Sequence, residues 1–230
     1  MSRVPFLSVV GAAVFAALGM AWLTPAHAQS PPRAPDVDRG TLIAAQGTAA
    51  GAPACAQCHA LNGASDSSGA FPQIAGQSAY YLAKELRDFG TDVRSNEIMS
   101  PIAQALSPDD IADVAAYYAG LHAAFLPLAP ANPTLIERGQ EIATVGSAAH
   151  GIQACDNCHG PDGVGEPPAI PYLAGQYGHY ITLELQMWQH GQRKSSSDAM
   201  ETIAKKLGDQ EIAAVAAYYQ QARTQGESRP

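Results

Sequence analysis

The chain contains one pattern written twice, and this duplication limits its possible folds more than any other feature. Arg39-Gly40 recurs as Arg138-Gly139, 99 positions later. The block Ile74–Gln77 recurs as Leu173–Gln176 at the same offset, and Ile111–Tyr118 recurs as Ile212–Tyr219 at an offset of 101. This period is far longer than the roughly 20–50 residues of solenoid repeats. The order and spacing of the blocks therefore predict a tandem domain duplication.

Every cysteine of the chain belongs to a Cys-x-x-Cys-His motif. The two motifs are Cys55, Cys58, His59 and Cys155, Cys158, His159. This spacing is the attachment signature of c-type haem: two thiols add to the porphyrin vinyl groups, and the adjacent histidine binds the iron. We therefore predict two covalently bound haem c groups.

Three other uses of the cysteines need weighing. Two local disulfides would leave the histidine of each motif without a role. A thioredoxin-like redox pair needs a strand–helix setting, which the surrounding sequence does not offer. A four-cysteine zinc site would have to join Cys58 to Cys155, 97 positions apart across the domain junction. The haem interpretation accounts for all six motif residues.

Residues 1–28 are typical of an export signal peptide. Arg3 precedes an apolar stretch from Val4 to Leu23, and the segment ends in Ala26-His27-Ala28, a small-x-small cleavage site. The alternative is a retained N-terminal anchor, but Pro5 interrupts its start and no basic flank follows. We expect a mature chain of residues 29–230 in the periplasm, where c-type haem attachment takes place.

The mature chain divides into residues 29–125 and 126–230, joined by a Pro-rich linker at about 122–133.

Within each copy the apolar residues repeat with a helical period: Ile111, Val114, Ala115 and Tyr118 form one stripe. Ser107 is predicted to cap this helix, and Thr134 with Glu137 to form a capping box. Residues 78–89 and 177–190 are predicted as middle helices. No segment alternates with a two-residue period, so we expect an all-α fold.

Methionine spacing indicates the second axial ligand of each iron. Met99 lies 40 residues after His59, and Met200 lies 41 after His159. Met187 has no methionine counterpart in the first copy and is predicted to be a core residue. The remaining histidines of the mature chain are predicted to lie at the surface, and Trp188 in the core.

The mature chain resembles the dihaem cytochrome c4 family over nearly all of residues 36–222. The resemblance rests on both haem motifs with Met99 and Met200, the Ala-Gly-Gln blocks and the Ala-Ala-Tyr-Tyr helices. It implies two tandem class I cytochrome c domains, with Gly40 and Gly139 permitting a close helix crossing. It also implies that the carbonyls of Pro72 and Pro171 orient His59 and His159. The first motif departs from the family by continuing Ala60-Leu61 where glycine is common.

The resemblance also implies periplasmic electron transfer without catalysis or a small-molecule substrate. The expected partners are redox proteins, some of them membrane-associated: a cytochrome complex or dehydrogenase as donor and an oxidase as acceptor. The alternative is an electron-transfer subunit of a periplasmic dehydrogenase complex. A dihaem peroxidase would need an open iron site, and a thiosulfate dehydrogenase would need a cysteine ligand that this chain does not have to spare. The net charge of −8 is opposite to that of a general nucleic-acid binder.

The signal peptide and the two motifs together predict the mass of the mature protein. Cleavage after Ala28 and attachment of two haems should give the mass of residues 29–230 plus two haem groups. Intact-protein mass spectrometry checks the mass, and acid–acetone extraction should leave both haems on the chain. Recovery of free haem, or a mass with one haem, would contradict the assignment.

Overall fold

The computed structural model describes residues 33–65, 68–122 and 132–222. The expected signal peptide and residues 123–131 of the expected linker lie outside the described residues. The described residues from Arg33 onward belong to one compact unit. Within the described ranges, no helix has the length and hydropathy that a membrane-spanning helix needs.

The architecture is all-α, as the periodicity predicts, and the described residues contain only isolated β-bridges in place of strands. The first copy contains α1 (Val37–Gln46), α2 (Ala56–His59), α3 (Ala79–Phe89), α4 (Met99–Gln104) and α5 (Pro108–Ala119). The second copy contains α6 (Pro133–Thr144), α7 (Asp156–His159), α8 (Gly178–Gln189), α9 (Ala199–Ala204) and α10 (Asp209–Gln221). Short 3-10 turns lie at Ala148–His150 and Pro161–Gly163. The two copies thus have the same order of α-helices.

Local side chains explain where the long helices begin. Ser107 accepts a hydrogen bond from the N–H of Asp110, whose carboxylate accepts in return from the N–H of Ser107, a complete capping box. The predicted capping box at Thr134 is wrong. The cap is Asn132, whose Oδ1 accepts from the N–H of Thr134 at 3.0 Å. The helix starts earlier because Pro133 suits the first helical position.

The first and last helices of each copy cross at a glycine. A Cβ on Gly40 of α1 would lie 2.2 Å from the carbonyl oxygen of Asp113 on α5, and one on Gly139 would lie 2.1 Å from that of Ala214. Tyr117 and Tyr218 are the aromatic residues opposite. Both crossings therefore need glycine, as the resemblance implies. Around them lie two cores, one with Ile43 and Tyr118 and the other with Ile142 and Tyr219.

Glutamine and tyrosine side chains join the two copies through buried hydrogen bonds. Gln77 donates to the carbonyl of Tyr172 at 3.0 Å. Gln176 accepts from the N–H of Gln73 and donates to its carbonyl, at 3.0 and 2.9 Å. The Tyr177 hydroxyl donates to the carbonyl of Ala64 at 2.6 Å. The glutamines of the repeated Ala-Gly-Gln blocks are thus interface residues.

Two arginines and two glutamates form a buried cluster between the copies, which we call the Arg–Glu cluster: Glu85, Arg94, Glu184 and Arg193. Each arginine contacts the glutamate of its own copy and that of the other copy. Arg94 lies 2.6 Å from Glu85, and Arg193 lies 2.9 Å from it across the interface. All four side chains are at most 8% exposed.

The cluster carries two positive and two negative charges, so its net charge is zero. Burial opposes the ionisation of Glu85, but Arg193 and Arg94 outweigh it and lower the pKa of that carboxyl below its ordinary value. The guanidinium of Arg94 stacks on Phe89 at 4.1 Å, and that of Arg193 stacks on Trp188 at 4.0 Å. Removing one member would leave a buried charge without its partner, which is costly in a low-dielectric interior.

Glu184→Gln should therefore lower the free energy of unfolding by about 3–5 kcal/mol, as is typical when a buried ion pair loses one partner. The matched control is Glu141→Gln, which breaks an exposed pair with Arg138 and should cost under about 1 kcal/mol. Denaturant unfolding of the haem-loaded protein measures both. Equal losses in the two variants would contradict a dominant role for the Arg–Glu cluster.

Candidate functional site

Each haem motif lies on a short helix that places its histidine against a proline carbonyl. His59 ends α2 and His159 ends α7, and both are only 8% exposed. The Nδ1 of His59 lies 3.1 Å from the carbonyl oxygen of Pro72, and that of His159 lies 2.9 Å from Pro171. These contacts confirm the expected role of both prolines.

This hydrogen bond determines which ring nitrogen can bind a metal. A carbonyl oxygen can only accept, so the proton lies on Nδ1 and the lone pair on Nε2 is available. Burial lowers the pKa of both histidines, with the proline carbonyl opposing the shift, so the rings are neutral at pH 7. A neutral, oriented imidazole is the form that binds iron.

No disulfide joins any of the four cysteines, so the disulfide alternative is not realised. Cys55 packs against the first core and Cys155 against the second. Before haem attachment, burial raises the pKa of each of these two thiols to about 11. Two thiols spaced by two residues beside an oriented histidine fit covalent attachment of haem c and an axial nitrogen ligand.

Met99 and Met200 occupy equivalent, partly buried positions at the starts of α4 and α9. The N–H of Met99 donates to Oδ1 of Asn96 at 2.8 Å, and that of Met200 donates to Oγ of Ser196 at 3.1 Å. Met200 packs against the same core cluster as Cys155.

The methionine and histidines that were not predicted as ligands lie where they were expected. Met187 is 7% exposed and lies in the core. His122, His150, His179 and His190 are all exposed, again as predicted.

The residue that follows each motif has nearly the same backbone conformation in the two copies, although it is alanine in the first and glycine in the second. Ala60 has φ 58° and ψ 161°, close to the 72° and 165° of Gly160. This region of backbone space favours glycine, so Ala60 adopts a conformation that its sequence does not suggest. The departure of the first motif from the family pattern therefore leaves the backbone conformation at this position unchanged.

Comparison with known proteins identifies both copies. Residues 44–121 match the family described as Cytochrome c, and residues 144–218 match Cytochrome C oxidase, cbb3-type, subunit III. Cytochrome c4 of Pseudomonas aeruginosa is 37% identical over 79% of this chain and 91% of its own length. The thiosulfate dehydrogenase electron acceptor of Stutzerimonas stutzeri is 37% identical over 78% of this chain and 84% of its own length.

Solved structures give the same result. Reduced recombinant cytochrome c4 from Pseudomonas stutzeri superposes with a TM-score of 0.70 at 29% identity, covering 81% of this chain and 98% of that protein. The thiosulfate dehydrogenase TsdBA from Marichromatium purpuratum superposes with a TM-score of 0.75 at 36% identity. That match covers 85% of this chain but only 43% of TsdBA.

Two tandem cytochrome c domains, each with its own attachment motif, define a dihaem c-type cytochrome that transfers electrons. The two haem c groups are bound covalently through Cys55 and Cys58 and through Cys155 and Cys158. The chain belongs to the cytochrome c4 family.

Sequence reasoning missed several residues around the sites. It assigned no role to Asp156 or Asp162, which accept hydrogen bonds from Tyr219 and Tyr218. It also missed the Arg–Glu cluster, although Arg94 and Arg193 precede the two methionines by similar distances. The two arginines lie 99 positions apart, at the offset of the repeat, and this match could have indicated a shared role. Arginine is rarely buried, however, so the sequence favoured an exposed position for both.

Proposed function

We propose that this cytochrome is a periplasmic electron shuttle between respiratory-chain donors and a terminal oxidase or a similar acceptor, and that it is not an enzyme. The single observation that carries the proposal is the pair of equivalent sites. Each has an oriented neutral histidine and a partly buried methionine at matched positions. If His59 and Met99, and His159 and Met200, bind the two irons, the protein fills the iron sites and no position would remain for a substrate.

His59 with Met99, and His159 with Met200, are the proposed axial ligands. When bound, each haem supplies one iron that changes oxidation state by one electron. A thioether ligand favours the reduced form and raises the potential. The Pro72 and Pro171 carbonyls keep each histidine ring oriented, and Asn96 and Ser196 hold the backbone of each methionine. Ligands held in this way need little movement when the charge of the iron changes.

The signal peptide predicted at residues 1–28 supports the proposed location. Export of residues 29–230 would deliver the two motifs to the compartment where c-type haem is attached. The mature chain would lose Arg3 and carry a net charge of −9, from 12 basic and 21 acidic residues. Such a charge favours a partner with a basic docking surface and a weak, fast, salt-dependent encounter.

A second function has specific support from the comparisons. Relatives from Stutzerimonas stutzeri and Thiomonas intermedia are named thiosulfate dehydrogenase electron acceptors. A chain of this kind would accept electrons from a dehydrogenase on another chain, which would carry out the chemistry. Stable copurification with a dehydrogenase would favour this subunit role, whereas isolation as a free protein with rapid oxidation by a respiratory oxidase favours the shuttle.

The ligand assignment predicts a methionine-sulfur-to-iron charge-transfer band with the intensity of two sites in the ferric protein. Met99→Ala and Met200→Ala should each remove about half of that band, since each deletes one thioether ligand. Met187→Leu is the matched control and should leave the band intact. Loss of the band in the control, or its retention in both other variants, would show that the assignment is wrong.

The partner proposal predicts that raising the salt concentration slows oxidation of the reduced protein by an oxidase with a basic site. Exposed charges are screened beyond about 8 Å at physiological ionic strength. Transfer between the two haems involves no diffusive encounter and should stay constant. Stopped-flow kinetics separates the two steps. A second-order rate that rises with salt would indicate a like-charged partner and rule out the basic one.

A further inference from the structure

The loops that lead into the two methionines differ in length. Residues 95–98 separate Arg94 from Met99 in the first domain, and residues 194–199 separate Arg193 from Met200 in the second. The arginines match at an offset of 99 and the methionines at an offset of 101, so the second loop contains two extra residues. We call residues 194–199 the second methionine loop. Because it leads directly into a proposed axial ligand, its conformation bears on that iron site.

The second methionine loop enters α9 through a backbone conformation that its residues disfavour. Ser197 has φ 48°, and Asp198, the N-cap of α9, has φ 67° and ψ −9°. In the shorter loop the N-cap residue Ile98 has ordinary right-handed angles, φ −93° and ψ −55°. Residues other than glycine seldom occupy the left-handed region, and they stay there only where surrounding contacts hold them. The second methionine loop therefore needs contacts that fix it in place.

The first domain supplies such contacts across the interface. The Lys84 ammonium on α3 donates to the carbonyl oxygen of Ser195 at 2.6 Å. The carbonyl oxygen of Val93 accepts from the N–H of Lys194 at 2.7 Å. Both contacts fall at the start of the second methionine loop, so the first domain holds the segment from which the two left-handed residues continue.

Lys84 is itself held in position for this contact. The carboxylate of Asp88, one turn further along α3, accepts from the Lys84 ammonium at 2.5 Å. The Lys84 side chain is 31% exposed, so water screens its charge only in part. Hydrogen bonds donated by an ammonium are stronger than those donated by a neutral group. The carboxylate and the Ser195 carbonyl together fix the ammonium at the interface.

Ser195 connects this contact to the methionine. Its Oγ accepts from Nε of Arg193 at 2.9 Å, while its carbonyl accepts from Lys84. The next residue, Ser196, accepts at Oγ from the N–H of Met200 at 3.1 Å. The side chain of Ser195 is thus held by its own domain and its carbonyl by the other domain, and its neighbour holds the backbone of Met200.

The ammonium contact runs in one direction between the domains. At an offset of 99, Leu183 of α8 takes the place of Lys84. Its side chain is 44% exposed, and a leucine side chain has no group that can donate a hydrogen bond. The first loop is joined to the second domain by the N–H of Ser95, which donates to the carbonyl of Gln192 at 3.2 Å. The longer loop alone receives a bond from a charged side chain at this matched position.

We propose that Lys84 is a positioning residue for Met200: an ammonium of the first domain holds the second methionine loop and so keeps the Met200 thioether on its iron. This inference rests on the ligand pair proposed above for the second site. Without the Lys84 contact, the loop can leave its left-handed conformation, and the thioether is displaced more easily. The effect concerns the second site because the Lys84 ammonium donates to the second loop.

Displacement by imidazole measures how firmly each methionine is held in the ferric, haem-loaded protein. An iron–sulfur bond breaks, an iron–nitrogen bond forms, and the iron neither gains nor loses an electron. Lys84→Met should tighten imidazole binding at the second site by about tenfold, the low end for losing a hydrogen bond from a charged donor. The first site should keep its affinity. Loss of the methionine-to-iron charge-transfer band gives the affinities, and NMR signals of the haem methyl groups assign each to its domain.

A control variant and a second measurement make the test specific. Arg87→Met removes an exposed cation from the same helix and should change neither affinity. Hydrogen exchange follows the loop independently of the iron: Lys84→Met should speed exchange in residues 194–200 and leave residues 95–99 unchanged. If Lys84→Met fails to fold, Lys84→Gln, which keeps a polar but shorter side chain, takes its place with the same expected results.

A second-site imidazole affinity that changes no more in Lys84→Met than in Arg87→Met would overturn the proposal, and so would an equal change at both sites. Unchanged hydrogen exchange in residues 194–200 would overturn it as well. Failure of the proposed ligand pair has a different signature. Imidazole would then bind the second site of the unmodified protein without reducing the charge-transfer band, whereas the exchange measurement would still show whether Lys84 holds the loop.

Discussion

The Arg–Glu cluster between the two domains is the interaction on which the arrangement of the molecule depends. Arg94 binds Glu184 of the other domain, and Arg193 binds Glu85, so each ion pair within a domain is completed across the interface. Separating the domains would break two buried pairs at once. The charge-assisted hydrogen bonds of these pairs are directional, and they therefore select one orientation of the domains where an apolar contact would accept several. A fixed orientation of the two domains suits electron transfer between their haems.

Each haem site is built on a second constraint, the hydrogen bond from histidine Nδ1 to a proline carbonyl. This bond selects the tautomer, and it does so in both domains with nearly the same distance. The loop that follows has to turn back toward the proline through a conformation that favours glycine. The first domain makes this turn with Ala60, so the geometry of the site outweighs the preference of the residue.

The duplication makes the differences between the domains informative. Residues that attach and orient the haem are the same in both copies, as are the glycines at the helix crossings and the tyrosine pairs. The attachment loops differ in the charges at positions 56 and 62 against 156 and 162. The first domain also has an ion-pair network around Asp113, where the second has Ala214. Two sites with the same ligand types can therefore have different electrostatic surroundings.

The sequence by itself determined the duplication, the all-α fold, the covalent haem sites and, to within one residue, the bounds of the two middle helices. These depend on local spacing: two thiols and a histidine within five residues, or an apolar stripe with a helical period. The prediction was wrong at the start of α6, where the N-cap is Asn132 and not Thr134. Pro133 follows Asn132 and suits the first helical position. Only the tertiary structure decided that Arg94 meets Glu184, 90 positions away, and that Tyr219 meets Asp156, 63 positions away. No local pattern encodes such pairs, because they form only when helices distant in sequence pack together and exclude water from their charges.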